Sequence, residues 1–435
     1  MKYIYLLSFL IISVHGVQAQ QELTLRNMNG VVQSAHTNPS SVPMHKMILT
    51  LGSSYHVNVK NTGFTYNQFL AQVETTETGQ RVLDIGRLAN DLKLNGKDYV
   101  HSSASADIFG LNFKAGKNRF SLNITEHVQA RLGYSSSLLD LAVEGNTPGS
   151  TTSLDGYKLN GMHYREIGLG FNRKILAEDK LVVGGRIKTL FGMSNVRTVR
   201  SNVNLHTAGE EDLYAITADA DILVRTAGVD MLEEVDIDYL TNMANLGLGL
   251  DLGASYQYSS ALSFSASIIN LGYIKWKEGV TNYKSQGVYT FTGINNNELF
   301  SGSFEFDETE VIDSIASVFE FDETNEAYST SLPTQIYLSG SYQLASKTMA
   351  SATLYSDFMG GFRKGMSLGV TQTLGRWFQA SASYTMHARS YNNLGLGIAM
   401  GTGLQFHAVT DNLLALMQPG NAKLANMRAG FNFLF

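Results

Sequence analysis

Residues 245–258 read NLGLGLDLGASYQY, and every second residue of this stretch is apolar. Side chains alternate across a β-strand, so the two sets project from opposite faces of the backbone. One face carries leucine, alanine and tyrosine, and the other carries small or polar residues. The pattern therefore predicts a long strand with one face in an apolar medium and the other in a wet one.

Four further segments repeat this alternation: ALSFSASIINLGYIKW (261–276), TQIYLSGSYQL (334–344), RWFQASASYTMH (376–387) and NNLGLGIAM (392–400). Long strands with a period of two are typical of transmembrane β-barrels, whose outer face meets lipid and whose inner face lines a polar lumen. A soluble β-sandwich is the alternative, but its strands are usually nearer 5 to 6 residues. We therefore predict an all-β fold, a transmembrane antiparallel β-barrel.

Fourteen segments have strand character, and bacterial outer-membrane barrels have an even number of strands. Short turns and long segments separate them alternately, so the long segments are predicted to be extracellular and both termini periplasmic. The predicted strands are 47–60, 104–114, 118–127, 162–174, 180–193, 244–257, 261–275, 333–345, 348–359, 364–374, 376–388, 392–400, 402–411 and 427–435.

One more segment, residues 210–225, also has strand character. A single additional crossing would invert the side of every later loop. We therefore place it in an extracellular excursion that pairs with VRTVRSNVNL (196–205), followed by a surface helix. A sixteen-stranded barrel, in which both members of the excursion span the membrane, is the alternative.

The first residues have the features of an export signal. Lys2 precedes the apolar run YIYLLSFLIISV, and Val17 and Ala19 have the spacing that signal peptidase requires. A transmembrane anchor is the alternative, but the run is shorter than the roughly 20 apolar residues of a spanning helix. We predict a signal peptide at 1–19, a periplasmic or lumenal segment at 20–46 and a barrel at 47–435 in the outer membrane of a Gram-negative bacterium.

The composition excludes several classes of protein. There is no cysteine, so the mature chain has no disulfide, no thiolate metal site and no cysteine to carry a lipid anchor. A net charge of −6 provides no basic surface for nucleic acid. The GxG spacings lie in predicted strands rather than at the start of a helix in a βαβ unit, so they predict no phosphate-binding loop and no cofactor.

Several segments resemble known families. TNPSSVP (37–43) resembles the Asn-Pro-Ala element of long-chain fatty-acid transporters (FadL-like barrels), with Asn38 and Pro39 matching and Ser40 in place of Ala. LLDLAVEGN, GRIKTLFG, SASIINLGYIKW and SLPTQIYLSGSYQL resemble an uncharacterised family of Bacteroidetes outer-membrane proteins. So does VTDNLLALMQPGNAKLANMRAGFNFLF, which is also similar to the PorP/SprF barrels of type IX secretion.

These resemblances imply a 14-stranded barrel whose lumen holds an N-terminal hatch, and which passes hydrophobic molecules inward or sideways into the membrane. A barrel of this size encloses more space than the side chains of its strands can fill. Residues 20–46 are available as the hatch, and Asn38, Pro39 and Pro43 fix a non-strand path for them.

Three charged residues are predicted to face the lumen. In LVVGGRIKTLFG (181–192), Arg186 and Lys188 alternate with outward apolar residues, and Asp251 faces inward in the opening stretch. The two cations could receive a fatty carboxylate. Alternatively, they only balance inward acids such as Asp251.

An acidic motif, FEFDET, occurs at 304–309 and again at 319–324. Its carboxylates Asp307, Glu308, Asp322 and Glu323 are weak candidates for Ca²⁺, which favours six to eight oxygen ligands. The spacing lacks the glycine of an EF-hand, so a solvated external loop is the alternative.

The chain ends on RAGFNFLF, in which Phe431, Phe433 and Phe435 share one face. We predict that this face meets lipid and that the strand closes the barrel against the first one. A C-terminal aromatic residue in this setting resembles the signal by which the barrel-assembly machinery recognises its clients.

The sequence favours a passive channel for hydrophobic or amphipathic small molecules. The alternative is a non-transporting barrel subunit of an outer-membrane secretion or assembly complex. An outer-membrane enzyme is a third class, but the ten histidines form no HxH or HExxH pair. The expected partners are outer-membrane lipid, the barrel-assembly machinery and other outer-membrane or secretion-complex proteins.

Overall fold

The computed structural model describes residues 22–75, 81–84, 86–88, 98–145, 147–212, 215–232, 237–291, 319–358, 363–387 and 390–435. The predicted signal peptide at 1–19 lies outside these residues. The strands are β1 Met47–Asn61, β2 Val73–Thr75, β3 Arg81–Leu83, β4 Asp98–Ala115, β5 Asn118–Tyr134, β6 Thr151–Ser153, β7 Lys158–Ile175, β8 Leu181–Thr207, β9 Ile216–Ala227, β10 Asn245–Gln257, β11 Leu262–Trp276, β12 Val280–Phe291, β13 Asp322–Thr324, β14 Tyr328–Ser331, β15 Gln335–Ala345, β16 Thr348–Asp357, β17 Arg363–Leu374, β18 Phe378–His387, β19 Ser390–Met400, β20 Leu404–Thr410 and β21 Leu424–Leu434.

The described helices are short. The α-helices are α1 Leu23–Arg26, α2 Tyr66–Leu70, α3 Ser137–Glu144, α4 Ile237–Thr241 and α5 Leu413–Met417, and 3-10 turns occur at Val32–His36, Ala177–Asp179, Glu210–Asp212, Asp230–Leu232 and Pro419–Asn421. Within the described part of the chain, none of the helices is long and apolar enough to cross a membrane.

Fourteen strands close into an antiparallel barrel, as the alternation predicts. Around the barrel they follow the order β1, β4, β5, β7, β8, β10, β11, β15, β16, β17, β18, β19, β20 and β21. The last strand pairs with the first, and Met47 and Phe435 exchange backbone hydrogen bonds of 3.1 and 2.9 Å. Closure leaves no free sheet edge at the ends of the chain, which is a requirement for strands in lipid.

One end of the barrel carries the short turns at 116–117, 176–180, 258–261, 346–347 and 401–403, and we call it the short-turn end. Lys117 donates to Asp179 at 2.8 Å and so joins two of these turns; this hydrogen bond lowers the pKa of the exposed Asp179 carboxyl. The opposite end carries the long connections and is called the long-loop end.

Beyond the long-loop end, the sheet continues as a smaller extension. The last residues of β8 pair with β9, β9 pairs with β12, and β12 pairs with β13. This is the predicted excursion, in which β9 returns along β8 without joining the fourteen-stranded ring. Strands β4, β5 and β8 are longer than predicted because their ladders extend past the apolar band.

The outward face of the wall is apolar. Leu169 and Ile187 are exposed by 63% and 65%, and the alternate leucines of the opening stretch, Leu246 and Leu248, by 54% and 57%. Phe113, Phe120 and Phe171 stack outside the short-turn end with ring centroids 5.5 and 5.3 Å apart. An apolar band bordered by aromatic rings is the surface that lipid requires of a barrel.

Candidate functional site in the barrel lumen

Residues 22–43 lie inside the barrel and residues 44–46 lead to β1, and we call 22–46 the lumenal segment. Leu23, Leu25, Met28 and Val31 are completely buried. Leu23 packs with wall residues of β11, β15 and β16, and the other three pack with Ala399 and Val409 of β19 and β20. The segment has no alternating pattern and is therefore held by side-chain contacts with the wall rather than by a ladder.

Asp411, directly after β20, holds the first residues of the segment. Its carboxylate accepts hydrogen bonds from the backbone nitrogen atoms of Leu23 and Thr24 at 3.2 and 2.7 Å, and from the Thr24 hydroxyl at 2.6 Å. Asn426 of β21 donates to the same carboxylate at 2.9 Å. Asp411 thus joins the lumenal segment to the wall.

Arg26 anchors the segment to the opposite wall. Its Nε donates to Ser339 at 2.7 Å and its Nη1 to Ser267 at 2.9 Å. The guanidinium also lies over the Tyr337 ring, 4.7 Å from the centroid. All of these partners lie on inward faces of β11 and β15.

The three residues predicted to form the hatch lie in the second half of the lumenal segment, and each neighbours the wall. Asn38 donates to Ser255 at 3.2 Å. The Pro39 carbonyl accepts from Asn172 at 3.2 Å, and the Pro43 carbonyl accepts from Arg119 at 3.1 Å. These contacts leave no room for larger side chains in the wall: a Cβ added at Gly184 would lie 2.3 Å from the Pro39 carbonyl oxygen.

The three predicted lumen charges form one buried cluster together with Glu166. Lys188 Nζ lies 2.9 Å from Asp251 and 3.1 Å from Glu166, and Arg186 lies 3.6 Å from Asp251. Asn270, which has a φ of 60° at a bulge in β11, accepts from Lys188 and donates its backbone N–H to Asp251. The two cations therefore face two wall carboxylates, which corresponds to the second of the two interpretations drawn from the sequence.

Further charges join this cluster to the far wall through the lumenal segment. Arg186 lies 3.3 Å from His36, and His36 lies 3.2 Å from Asp107 of β4. Arg428 of β21 lies 3.4 Å from Asp107 and forms a two-pronged ion pair with Glu22. These contacts join β8, β4 and β21 through His36 and Glu22, so the lumenal segment is held on both sides by hydrogen bonds and ion pairs. The sequence did not identify Glu22, His36, Asp107 or Arg428 as site residues. Alternation does place Asp107 and Arg428 on inward faces.

A polar crevice remains between the lumenal segment and the wall. It is a small cavity of about 20 Å³ beside Val32–His36 and is lined by β1, β4, β5 and β8. Asn123 Oδ1 and Arg186 Nε, which line it, have no hydrogen-bond partner. A narrow space with such groups suits water rather than an apolar solute.

The wall itself is interrupted between β1 and β4. The strands pair from Met47↔Phe113 to Leu51↔Phe109, and then only at Asn61↔Val100. Residues 52–60 of β1 and 101–108 of β4, all of them described, form no ladder pairs with each other. We call these two spans the seam.

Where the seam begins, β1 has a bulge relative to β21, and β4 has a bulge relative to β5. Between Leu49↔Phe433 and Ser54↔Gly430, β1 contains two residues more than β21, and Gly52 there has a φ of 56°. In β4, the exposed Ile108 is skipped between the pairs that β4 makes with β5. Bulges bend a strand and end regular pairing, which explains why the ladder is interrupted here although the two strands remain neighbours.

A second interruption lies one strand beyond β21. The seven-residue β20 ends at Thr410, so the parts of β19 and β21 nearest the long-loop end have no strand between them. Residues 411–423, including α5, fill this space, and Asn412 donates to Asn393 of β19 at 3.1 Å and to the Leu424 carbonyl of β21 at 2.7 Å. Here, side-chain hydrogen bonds replace the ladder.

One cluster contains a histidine, a glutamate and a serine, the residue types of a catalytic triad, but they are not hydrogen-bonded in the sequence that a triad requires. His163 contacts Glu126 at 2.8 Å and the Tyr239 hydroxyl at 2.6 Å, and Ser194 contacts Tyr239 at 3.0 Å. A serine nucleophile would need a direct hydrogen bond to the histidine. The cluster instead holds α4 against the wall.

Only two of the four residues predicted as weak Ca²⁺ ligands lie in the described part of the chain. Asp307 and Glu308 lie outside the described residues, whereas Asp322 and Glu323 are exposed in β13, opposite Lys284 and Tyr283. Across the described ranges, no group of three or more His, Asp or Glu residues could hold a metal ion.

The terminal aromatic residues lie where the alternation predicts. Phe431, Phe433 and Phe435 of the closing strand region are all exposed on the outside of the wall. The Phe431 ring packs on Phe406 of β20, with centroids 5.5 Å apart.

Comparison with solved structures gives several similar barrels. The toluene transporter TodX of Pseudomonas putida is 9% identical, with 93% of this chain and 94% of that chain covered and a TM-score of 0.42. A Pseudomonas aeruginosa FadL homologue is 10% identical, with 96% and 98% covered and a TM-score of 0.42. The monoaromatic hydrocarbon channel CymD is 9% identical, with 94% of each chain covered and a TM-score of 0.41.

At these identities and TM-scores, the structural similarities carry no argument about what this chain transports. No curated protein matches it in sequence. A family model does match, over residues 39–411, which is most of the chain. The chain therefore belongs to DUF5723, a family of unknown function.

Proposed function

We propose that this protein is an outer-membrane conduit that passes hydrophobic or amphipathic small molecules sideways from its lumen into the membrane through the seam. The single observation that supports the proposal is the interrupted ladder between β1 and β4. The short-turn end would face the periplasm, with both termini, and the long-loop end would face the outside.

An interrupted ladder costs free energy in a membrane, and this cost supports a functional role for the seam. Each backbone N–H or C=O left without a partner in lipid costs several kcal/mol, so a purely structural barrel gains by closing its wall. The seam nevertheless extends over 52–60 and 101–108. Its outward residues in β4 include Ala104 and Ala106, which are small.

The lumenal segment favours a sideways route over a straight one. It crosses the lumen and contacts β8, β11, β15 and β21. The remaining crevice is polar, which suits water better than an apolar solute. A hydrophobic molecule that enters at the long-loop end would therefore leave more easily through the wall, with the lumenal segment acting as the hatch.

Cross-linking the seam tests this proposal. The chain has no cysteine, so Val57→Cys and Ala104→Cys can be joined by a short bismaleimide without side reactions. The matched control joins Leu368→Cys and Tyr384→Cys, which are direct partners in the fully paired β17 and β18. Uptake of N-phenyl-1-naphthylamine, which fluoresces in an apolar medium, is measured in Gram-negative cells that express each form.

We expect expression to raise the initial uptake rate, the seam cross-link to return it to that of cells without the protein, and the control cross-link to leave it unchanged. Full uptake through a cross-linked seam would contradict the proposal.

A non-transporting subunit of a secretion or assembly complex is the second candidate. The observation that favours it is the density of hydrogen bonds and ion pairs that hold the lumenal segment, because a permanently plugged barrel can serve as a scaffold. Uptake that does not depend on expression of the protein would favour this candidate over the conduit.

A further inference from the structure

The inward face of the seam carries polar side chains that have no hydrogen-bond partner. Neither ring nitrogen of His56 and neither amide atom of Asn58 has one, and the Ser103 hydroxyl also lacks one. The residues are 1%, 0% and 5% exposed. Buried polar groups are nearly always hydrogen-bonded, so each exception requires an explanation.

The three residues lie close together. His56 and Asn58 are two apart in β1 and so share a face, with Cα atoms roughly 7 Å apart. The pairs Leu51↔Phe109 and Asn61↔Val100 that border the seam place Ser103 opposite residues 57 and 58. The unpartnered groups therefore coincide with the spans where the β1–β4 ladder is interrupted.

The charges around this site are already paired. Arg428 lies opposite His56 in the β1–β21 ladder, and two carboxylates, those of Glu22 and Asp107, flank its guanidinium. Lys60, the next inward residue of β1 after Asn58, is itself engaged in an interaction. Among the described charged side chains around His56, an anionic group would thus meet two carboxylates and an Arg428 that they already pair, whereas an uncharged group would meet hydrogen-bond donors and acceptors.

We infer that His56, Asn58 and Ser103 bind the uncharged polar head of an amphiphile, one with hydroxyl or amide groups, while its apolar tail leaves through the seam into lipid. This inference rests on the proposed conduit and names its substrate class. The imidazole, the amide and the hydroxyl each can donate and accept, so together they suit a head with several hydroxyl groups. A carboxylate head would be disfavoured.

Equilibrium binding to the purified full-length barrel in detergent tests this inference, with tritiated 1-monooleoylglycerol and tritiated oleate as probes. The two share one acyl chain and differ in the charge of the head. We expect monooleoylglycerol to bind at least about 10-fold more tightly than oleate at pH 8. The double variant His56→Leu, Asn58→Leu should weaken monooleoylglycerol binding on the order of 10-fold, as the loss of two hydrogen bonds would.

The oleate affinity should not change in that variant, and Ser103→Ala should reproduce a smaller part of the loss. Ser367→Ala is the matched control, because Ser367 is also buried with an unpartnered hydroxyl but lies in β17, away from the seam. It should bind both probes as the unaltered protein does. Heat-modifiable migration on gels checks that each variant is a folded barrel.

Equal affinity for the two probes, or unchanged monooleoylglycerol binding in a folded double variant, would overturn the head-group site. Those results would leave the conduit in place if the seam cross-link still blocks uptake. If the proposed conduit is wrong, the seam cross-link will not change uptake, whichever probe binds.

Discussion

Substituting Asp411 by alanine should release the first half of the lumenal segment. The carboxylate accepts three hydrogen bonds from this segment, at 3.2 Å from the Leu23 nitrogen and at 2.7 and 2.6 Å from the nitrogen and hydroxyl of Thr24. Each such bond contributes about 1 to 1.5 kcal/mol net, so the three together stabilise the docked segment by roughly 4 kcal/mol. A loss of that size increases the population of the released segment on the order of 10³-fold.

Amide hydrogen exchange of residues 23–31, measured by mass spectrometry on the barrel in nanodiscs, reports this release. Asp411→Asn keeps one carbonyl acceptor and should show an intermediate rate. Asp98→Ala is the control, because Asp98 is also buried and accepts from the Thr62 hydroxyl at 3.0 Å. Unchanged protection of residues 23–31 in a folded Asp411→Ala barrel would refute the assignment of Asp411 as the anchor.

Three further predictions concern the lumenal segment and the end of the chain. Deleting residues 20–46 should raise single-channel conductance in planar bilayers, because residues 22–43 lie in the lumen; unchanged conductance would argue against a hatch. Gly184→Ala should displace Pro39, because its Cβ would lie 2.3 Å from the Pro39 carbonyl oxygen, and amide exchange of residues 40–42 should become faster. Gly403→Ala should not have this effect, because nothing lies within 4 Å of its Cβ. Equal exchange rates in the two variants would contradict the close packing. Removing Phe435 should lower the amount of inserted barrel in membrane fractions before any loss of specific activity, and normal levels would count against an assembly role.

The architecture could be predicted because each strand carries its own signal. Leucines at every second position of β10 are exposed on the outside, and Asp251 between them is buried in the lumen, as alternation requires. The fourteen strands and the excursion follow from the same pattern together with the alternation of short turns and long segments. These properties are local, so a single sequence contains them.

The seam could not be predicted in this way. The bulge in β1 adds two residues relative to β21, and a two-residue insertion preserves the alternation, so Leu49 and Tyr55 still point outward. Ladder pairing is a relation between strands that are far apart in the sequence, and neither span has a composition that indicates its absence. The alternation does predict that His56 and Asn58 face inward, but it does not predict that they lack hydrogen-bond partners.

The charge network shows a similar division. Alternation identifies Arg186, Lys188 and Asp251 as inward residues, and the same argument applied to β7 would have found Glu166. The contribution of His36 depends on how the lumenal segment folds, which its sequence does not determine without the wall. Long-range ion pairs such as Glu22 with Arg428 have no local signal.

The central claim is that the β1–β4 ladder is interrupted and that the wall opens there, and residue-resolved hydrogen exchange of the barrel in nanodiscs tests it most directly. In β1, the amides of residues 53–59 that point toward β4 should exchange rapidly while those that point toward β21 stay protected, and residues 102–107 of β4 should show the same division. Residues 365–373 of β17, which pairs on both sides, should be protected throughout. Protection of the seam amides equal to that of β17 would contradict an open wall and, with it, the sideways route.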